Sequence, residues 1–479
     1  MAPKRIFLIL LLLVLLGGTL RFYDLGKESI WMDEAVSLLE AQQEYPAQII
    51  TLVTQLEGSP YGHHLLLHYW IRYFGNSEFS VRFLSAFFGV LSIPVLFFLA
   101  KRLFDVRVAL LSSLFFSTAM LQVVYSQEAR LYSLFGFLAL LSTLFLVMFF
   151  DSNSNRQGKY LFAYIITMTF AMYVNYVTLF LMILHLFIFY FRTDFKKNKV
   201  LFKGWLYSLS IILVLAIPLI KPFVTQLVSR HSALPAGLAA KGVPFVLAKL
   251  GLFFYMLPLL LVLFGFVLAV IFYKKTNVGT KFNEKVVIIT LLILGIFYLV
   301  FLDVLAHSFS LIRHSYFMVP ALYILMAKSI TIFSKRHLKY LVVLAIIALN
   351  FFALFTYYSE TTKAPWREAM NDFEEYARDD TIVLIDDSLS SEFLFYYYIS
   401  NNPFNNSPEY RVKKIPDGVQ PAYYDALVIQ LNKEDDFWVI ATKGFHVGMI
   451  EFLNSHYNKS FTTEHKGITL YSYEVNNLK

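Results

Sequence analysis

Two adjacent carboxylates, Asp33 and Glu34, stand in ESIWMDEAVSLLEAQQ (28–43). Neighbouring positions on a helix point about 100° apart, so one acid can face a cavity while the other anchors or caps the helix. Ile30, Trp31, Ala35, Leu38 and Leu39 give the stretch an apolar side, the pattern of a helix lying in a membrane interface. Acids at a helix start are also what the helix dipole favours without any chemistry. A third acid, Glu128, lies in YSQEARLY (125–132) with Arg130 and Tyr132 close behind it; Glu128 and Arg130 could simply neutralise one another. In DVLAHSFSLIRHS (303–315), Arg313 beside His314 suits a phosphate clamp, because a guanidinium gives charged bidentate hydrogen bonds. Lipid headgroups would satisfy the same residues. GSPYGHHLLLHYW (58–70) brings His63, His64 and His68. His64 and His68 are four apart and share a helix face, the spacing of a metal pair and equally of an interfacial belt of His, Tyr and Trp.

The chain that must position these groups has 479 residues, 58% hydrophobic, 18% aromatic and only 15% charged, with a mean hydropathy of +0.59. Soluble chains carry about 25% charged residues, so a soluble enzyme is excluded, as are disordered and fibrous proteins. The net charge of +8 averages two unlike parts: residues 1–358 carry +16 and residues 359–479 carry −8. The basic pI therefore does not indicate a nucleic-acid partner. There is no cysteine, which removes disulfides, thiolate metal sites and cysteine nucleophiles.

A spanning helix needs about 20 apolar residues. Eleven segments qualify, near 6–22, 80–100, 108–124, 131–150, 160–176, 177–191, 202–220, 247–273, 286–303, 315–333 and 338–357. The first follows Lys4 and Arg5 like a signal peptide but lacks a small-x-small cleavage site, so it reads as a retained anchor. With the N-terminus cytoplasmic, the inner loops hold nineteen Lys and Arg against ten in the longer outer loops, which predicts an N-in, C-out arrangement. Two outer loops are long: 23–79, with interfacial helices, and 221–246. Residues 1–358 thus read as a transmembrane domain and 359–479 as a small extracytoplasmic α/β domain. In the latter, TIVLI (381–385), ALVIQL (426–431) and FWVIAT (437–442) read as buried strands, and 365–378, 388–400 and 446–457 as helices. No nucleotide-binding glycine loop occurs there.

SIWMDEAVS after the first span, SPYGHHLLLHYWIRYFG with SEFSVRFLSAFFG behind it, and YSQEARLYSL resemble bacterial glycosyltransferases of the GT-C fold. The resemblance is to the protein O-mannosyltransferase-like superfamily, which includes lipid A aminoarabinose transferases and Rgt-type galacturonosyltransferases. RHSYFMVPALYIL (313–325) is similar to that group's Arg-Tyr-x-x-x-x-Pro start of a late span, and APWREAM (364–370) to the start of its outer C-terminal domain. The chain has Ser59-Pro60-Tyr61-Gly62-His63-His64 where Pro-Pro-x-Tyr-Tyr is common, and His314-Ser315-Tyr316 where Arg usually precedes Tyr directly.

The resemblance implies a multi-pass enzyme of the cell (inner or plasma) membrane that moves a sugar from a polyprenyl-phosphate carrier to a glycolipid, cell-envelope polysaccharide or protein on the outer face. It maps the family's Asp-Glu motif onto Asp33 and Glu34, with Asp33 as base, and its second acidic position onto Glu128. Arg130, Tyr132, His64, His68, Arg313 and His314 are then candidates for donor and phosphate contacts. A divalent ion, if used, would sit on Asp33 and Glu128. A flippase or transporter of a lipid-linked sugar is the alternative; it would place its charges near the bilayer midplane, often in inverted repeats. A non-catalytic receptor with an acidic tail is a third reading, which leaves Asp33-Glu34 and YSQEAR without a role.

Overall fold

Long apolar runs bounded by charge become helices here because a backbone in hydrocarbon must satisfy its own hydrogen bonds. The computed structural model describes residues 2–192, 199–232, 313, 316–378, 380–386, 388–400, 410–415, 431, 436–442, 445 and 447–475. Helices α1 (Pro3–Phe22), α2 (Met32–Ala41), α3 (Pro46–Leu56), α4 (Gly62–Phe74), α5 (Glu78–Leu103), α6 (Val106–Thr118) and α7 (Met120–Ser126) open the chain. They are followed by α8 (Tyr132–Asp151), α9 (Ser154–Val174), α10 (Thr178–Arg192), α11 (Lys199–Leu215) and α12 (Ile220–Ser232). After residue 315 come α13 (Val319–Ile332), α14 (Arg336–Ser359), α15 (Trp366–Tyr376), α16 (Leu389–Ser400) and α17 (Val447–His456). The strands are β1 (Thr381–Asp386), β2 (Tyr410–Ile415), β3 (Asp436–Thr442), β4 (Asn458–His465) and β5 (Ile468–Glu474).

Among the described residues, α1, α5, α8 and α14 are each long and apolar enough to cross a membrane. Two bent pairs bring the number to six if each is one span: α6 with α7, turned by 58°, and α11 with α12, turned by 46°. The second break falls at Ile217–Leu219, around Pro218, which lacks the N–H needed to continue the ladder. The sequence placed a loop from residue 221; the helix instead resumes at Ile220 and runs to Ser232, with Gln226 buried. The segments 247–273 and 286–303 lie outside the described residues.

The described residues group into two compact units. The first comprises Met1–Tyr23, Glu44–Phe74 and Val81–Thr356. One of its apolar clusters joins α8, α9 and α10 through Phe135, Phe149, Tyr164, Met168 and Phe189, with Trp205 of α11 stacked 5.3 Å from Phe189. Another joins α1, α5, α6 and α13 through Leu13, Phe97, Phe115, Phe116 and Tyr323. Leu341, Leu344, Phe352 and Phe355 of α14 remain exposed, as expected of a helix whose solvent is lipid.

The second unit comprises Asp24–Gln43, Gly75–Ser80 and Tyr357–Lys479, so a piece of the first loop folds with the C-terminal domain. Specific polar contacts hold it there. Glu28 accepts from the hydroxyl of Thr362 (2.7 Å), Arg367 donates to Glu78 and to the carbonyls of Gly26 and Lys27, and the Ile30 N–H donates to Tyr398 (2.7 Å). The sheet order is β2-β1-β3-β5-β4. β1 runs parallel to β2 and β3, and β5 lies antiparallel to β3 and β4. β1 and β3 are the strands read from TIVLI and FWVIAT; every residue of β1 is buried, as in a strand covered on both faces. The sequence missed β2, β4 and β5. The edge strands β2 and β4 carry Lys413, Lys414, Lys459 and Glu464, charges that guard an exposed edge and break the apolar pattern. ALVIQL, read as a strand, falls outside the described residues apart from Leu431.

Candidate active site

Candidate residues occur in both units, and each group is built within its own unit. In the second unit, Asp33 and Glu34 occupy the first turn of α2, where acids complement the exposed N–H groups. Glu34 is the third helical residue. Its carboxylate accepts from the N–H of Trp31 (3.4 Å) and from the ammonium of Lys363 (3.2 Å). The glutamate side chain is 0% exposed and the lysine 10%. A buried carboxylate needs such a partner, and Lys363 ties α2 to the segment entering α15. Asp33, one position earlier and about 100° around the helix, is half-buried. The two acids therefore differ in burial, Glu34 fully enclosed and Asp33 partly exposed.

In the first unit the residues around YSQEARLY converge on Tyr125. Its ring meets Tyr132 at 5.0 Å and Tyr316 at 5.1 Å, and both Glu128 and Arg313 lie within electrostatic reach of its hydroxyl. Glu128, Tyr132 and Arg313 are thus gathered from two chain regions almost two hundred residues apart. The close approach of Tyr316 to α8 uses Gly136, where a Cβ would stand 2.8 Å from the ring. His314 lies outside the described residues.

Arg130 takes a partner from further back: its guanidinium meets Glu57 at 2.6 Å and 3.5 Å, two parallel bonds of the fork type. Glu57 follows the last residue of α3, and Gln226 of α12 secures that corner by donating to the carbonyls of Val53 (3.2 Å) and Ser59 (3.1 Å). His63, His64 and His68 are all buried on α4, not spread on an interfacial surface, with the His63 and His64 rings 5.3 Å apart. A nitrogen of His64 lies within 4.8 Å of a Glu57 oxygen. Burial first, and then the nearby His64 and Arg130, hold the His63 pKa well below the usual histidine value, so the ring is neutral. Gly62 lets α4 start against α9, since a Cβ there would stand 2.5 Å from the Tyr173 carbonyl oxygen.

Sequence reasoning missed Lys363, Glu57 and Tyr125. Lys363 directly precedes the APWREAM motif, the one local hint to it. Glu57 lies 73 residues from Arg130, so no spacing rule links them. His185, inside α10, bonds to Thr143 (3.0 Å) and Tyr164 (3.1 Å) and is a satisfied core histidine.

The described helices, two pairs of them bent, and the small mixed-sheet unit make a fold of the kind seen in GT-C membrane enzymes. Residues 59–222 match the model of the dolichyl-phosphate-mannose-protein mannosyltransferase family. The fold is similar to that of ArnT from Cupriavidus metallidurans in the apo state, with a TM-score of 0.64 and 13% identity over 97% of this chain and 98% of that one. The same enzyme bound to undecaprenyl phosphate superposes with a TM-score of 0.61, at 13% identity over 98% of each chain. The Archaeoglobus fulgidus oligosaccharyltransferase in complex with Zn and sulfate follows at a TM-score of 0.51 and 12% identity, over 97% of this chain and 72% of that one. No curated protein sequence gives a significant match.

Proposed function

We propose that the chain is an integral-membrane inverting glycosyltransferase that moves a sugar from a polyprenyl-phosphate donor to an acceptor hydroxyl on the outer face of the membrane. The observation that carries the reading is the shared fold along nearly the whole of both chains with ArnT, which also occurs bound to undecaprenyl phosphate. The match to a mannosyltransferase family over 59–222 supports it independently. In this reading eleven spans run N-in, C-out through residues 1–358 in the cell (inner or plasma) membrane, and residues 359–479 form an extracytoplasmic domain.

Asp33 accepts the proton of the acceptor hydroxyl as that oxygen attacks the anomeric carbon; help of this kind is typically worth a factor of about 10²–10⁴. The bond from the anomeric carbon to the phosphate oxygen breaks as the new one forms, and single displacement inverts the centre. Glu34 acts by holding α2 through Lys363 and the Trp31 N–H. Glu128 is a second catalytic acid in this reading, and Arg130, Tyr132, His64, His68, Arg313 and His314 are its substrate- and phosphate-binding residues. The leaving lipid phosphate needs its growing negative charge stabilised by fixed cations more than it needs an acid. A nucleotide loop is not required, since the activated sugar arrives in the bilayer. Glycolipid, polysaccharide and protein are the acceptor classes.

The test is transfer of radiolabelled sugar from a panel of polyprenyl-phosphate sugars by the purified wild type and Asp33→Asn. Product with the wild type and at least a hundredfold loss in the variant is expected. Equal product from both removes Asp33 as base. No product from any donor, alongside protein-dependent movement of the same lipids between leaflets, replaces the reading with a flippase.

A further inference from the structure

A cation in the last turn of a spanning helix normally extends to water or headgroups. Arg21, in the last turn of α1, is 0% exposed instead. Its guanidinium turns inward to the end of α6, donating to the carbonyls of Ser117 (3.1 Å) and Phe116 (3.2 Å) and to that of Gly17 on its own helix (3.0 Å).

Those acceptors arise from the 58° break at Ala119. The Ala119 N–H still closes the last turn of α6 on Phe115, and α7 starts afresh with Gln122 and Val123 bonding back to Ala119. The carbonyls of Phe116 and Ser117 thus belong to the final turn, where a helix has acceptors left over and the negative end of its dipole. Arg21 supplies both the donors and the charge, and its guanidinium carbon lies 5.4 Å from the centre of the Phe116 ring. Two glycines make the room. A Cβ at Gly17 would come within 3.2 Å of Nη1 of Arg21; one at Gly89 would come within 3.1 Å of its Nε and 2.2 Å of the Ser126 hydroxyl.

The main chain of the same residue holds the other side of the break. The side-chain amide of Gln127, the residue after α7, donates to the carbonyls of Arg21 (3.1 Å) and Tyr23 (2.8 Å). Glu128 is next in the chain. We propose that Arg21 is a positioning residue, a pin across the α6–α7 break that fixes the 127–131 turn and thereby the carboxylate of Glu128. The functional half of this inference rests on the glycosyltransferase reading; the mechanical half does not.

The absence of cysteine allows a direct test. Ala129 is buried in the turn, so Ala129→Cys should react slowly with N-ethylmaleimide in the otherwise unchanged purified protein. Adding Arg21→Met should speed labelling at least tenfold, and Arg21→Lys should fall between, since a compact ammonium keeps the charge but lacks the planar fork whose two nitrogens reach Ser117 and Phe116 separately. Gln127→Ala releases the turn without removing the buried charge and should also speed labelling. It gives the answer if Arg21→Met does not fold. In the transfer assay, without the added cysteine, Arg21→Met should lower kcat at least thirtyfold with donor KM changed less than threefold, and Arg21→Lys should restore part of kcat. Labelling unchanged in both Arg21→Met and Gln127→Ala overturns the pin. Faster labelling with unaltered kcat overturns its link to catalysis. If the wild type transfers no sugar, the labelling result still decides the pin, so its failure and that of the functional reading are distinguishable.

Discussion

Replacing Lys363 by methionine keeps the length of the side chain and removes the charge that faces Glu34. The glutamate stays fully buried and loses the ammonium that stood at 3.2 Å, while the Trp31 N–H at 3.4 Å still donates to it. Breaking a buried ion pair from one side costs about 3–5 kcal/mol, because the remaining charge has lost its compensation. The cost falls on the hold between α2 and the segment entering α15, so local opening of α2 should ease by about two powers of ten or more, taking about 1.4 kcal/mol per tenfold. Hydrogen exchange read by mass spectrometry on peptides covering 32–41 measures this directly, with the amides of β1 and β3 as an internal reference that should not change. Glu34→Gln should loosen α2 comparably. The double variant should be less damaged than the sum of the two, by about 1–3 kcal/mol. Unchanged exchange in 32–41 after Lys363→Met, or strictly additive single effects, would refute the claim that this pair anchors the helix bearing Asp33.

Two further perturbations probe α4. Because burial depresses the His63 pKa, the unfolded chain binds this proton more readily than the folded one. The corresponding stability is complete above about pH 6.5 and is lost as pH falls towards the folded pKa, at no more than about 1.4 kcal/mol per pH unit. The thermal midpoint should therefore drop more steeply between pH 7 and pH 5 for the wild type than for His63→Gln; parallel curves would disprove it. Gly62→Ala should destabilise by about 1–3 kcal/mol, since the new methyl must displace the Tyr173 backbone and not merely a flexible side chain. Its folded yield from gel filtration in detergent checks this, and a yield equal to that of the wild type would count against the packing.

What could be read in the sequence divides along the range of the interactions. α1, α5, α8 and α14 were legible because an uninterrupted apolar run of about 20 residues has few other uses. β1 and β3 were legible for the same reason on a smaller scale, being apolar on both faces, whereas β2 and β4 are edge strands whose charges hide them. Of the two breaks, the one at Pro218 has a visible cause. The one at Ala119 has no proline or glycine beside it; its acceptors are satisfied by an arginine almost a hundred residues earlier, which no local pattern announces.

The same division explains how far the site could be anticipated. Helix geometry alone allowed one of Asp33 and Glu34 to anchor the helix, and the helix dipole alone would also favour both acids there. That Glu34 is held by Lys363, some 330 residues away, no local pattern shows. Glu57 with Arg130, and Arg21 with the end of α6, repeat the arrangement: a charge near a span end is matched by a group from a distant helix. Each such charge would be costly to bury alone, so each match restricts where its helix can lie. Enclosure differs even between neighbours on one helix: Glu34 is fully buried on its lysine, while Asp33, one residue earlier, is half-buried.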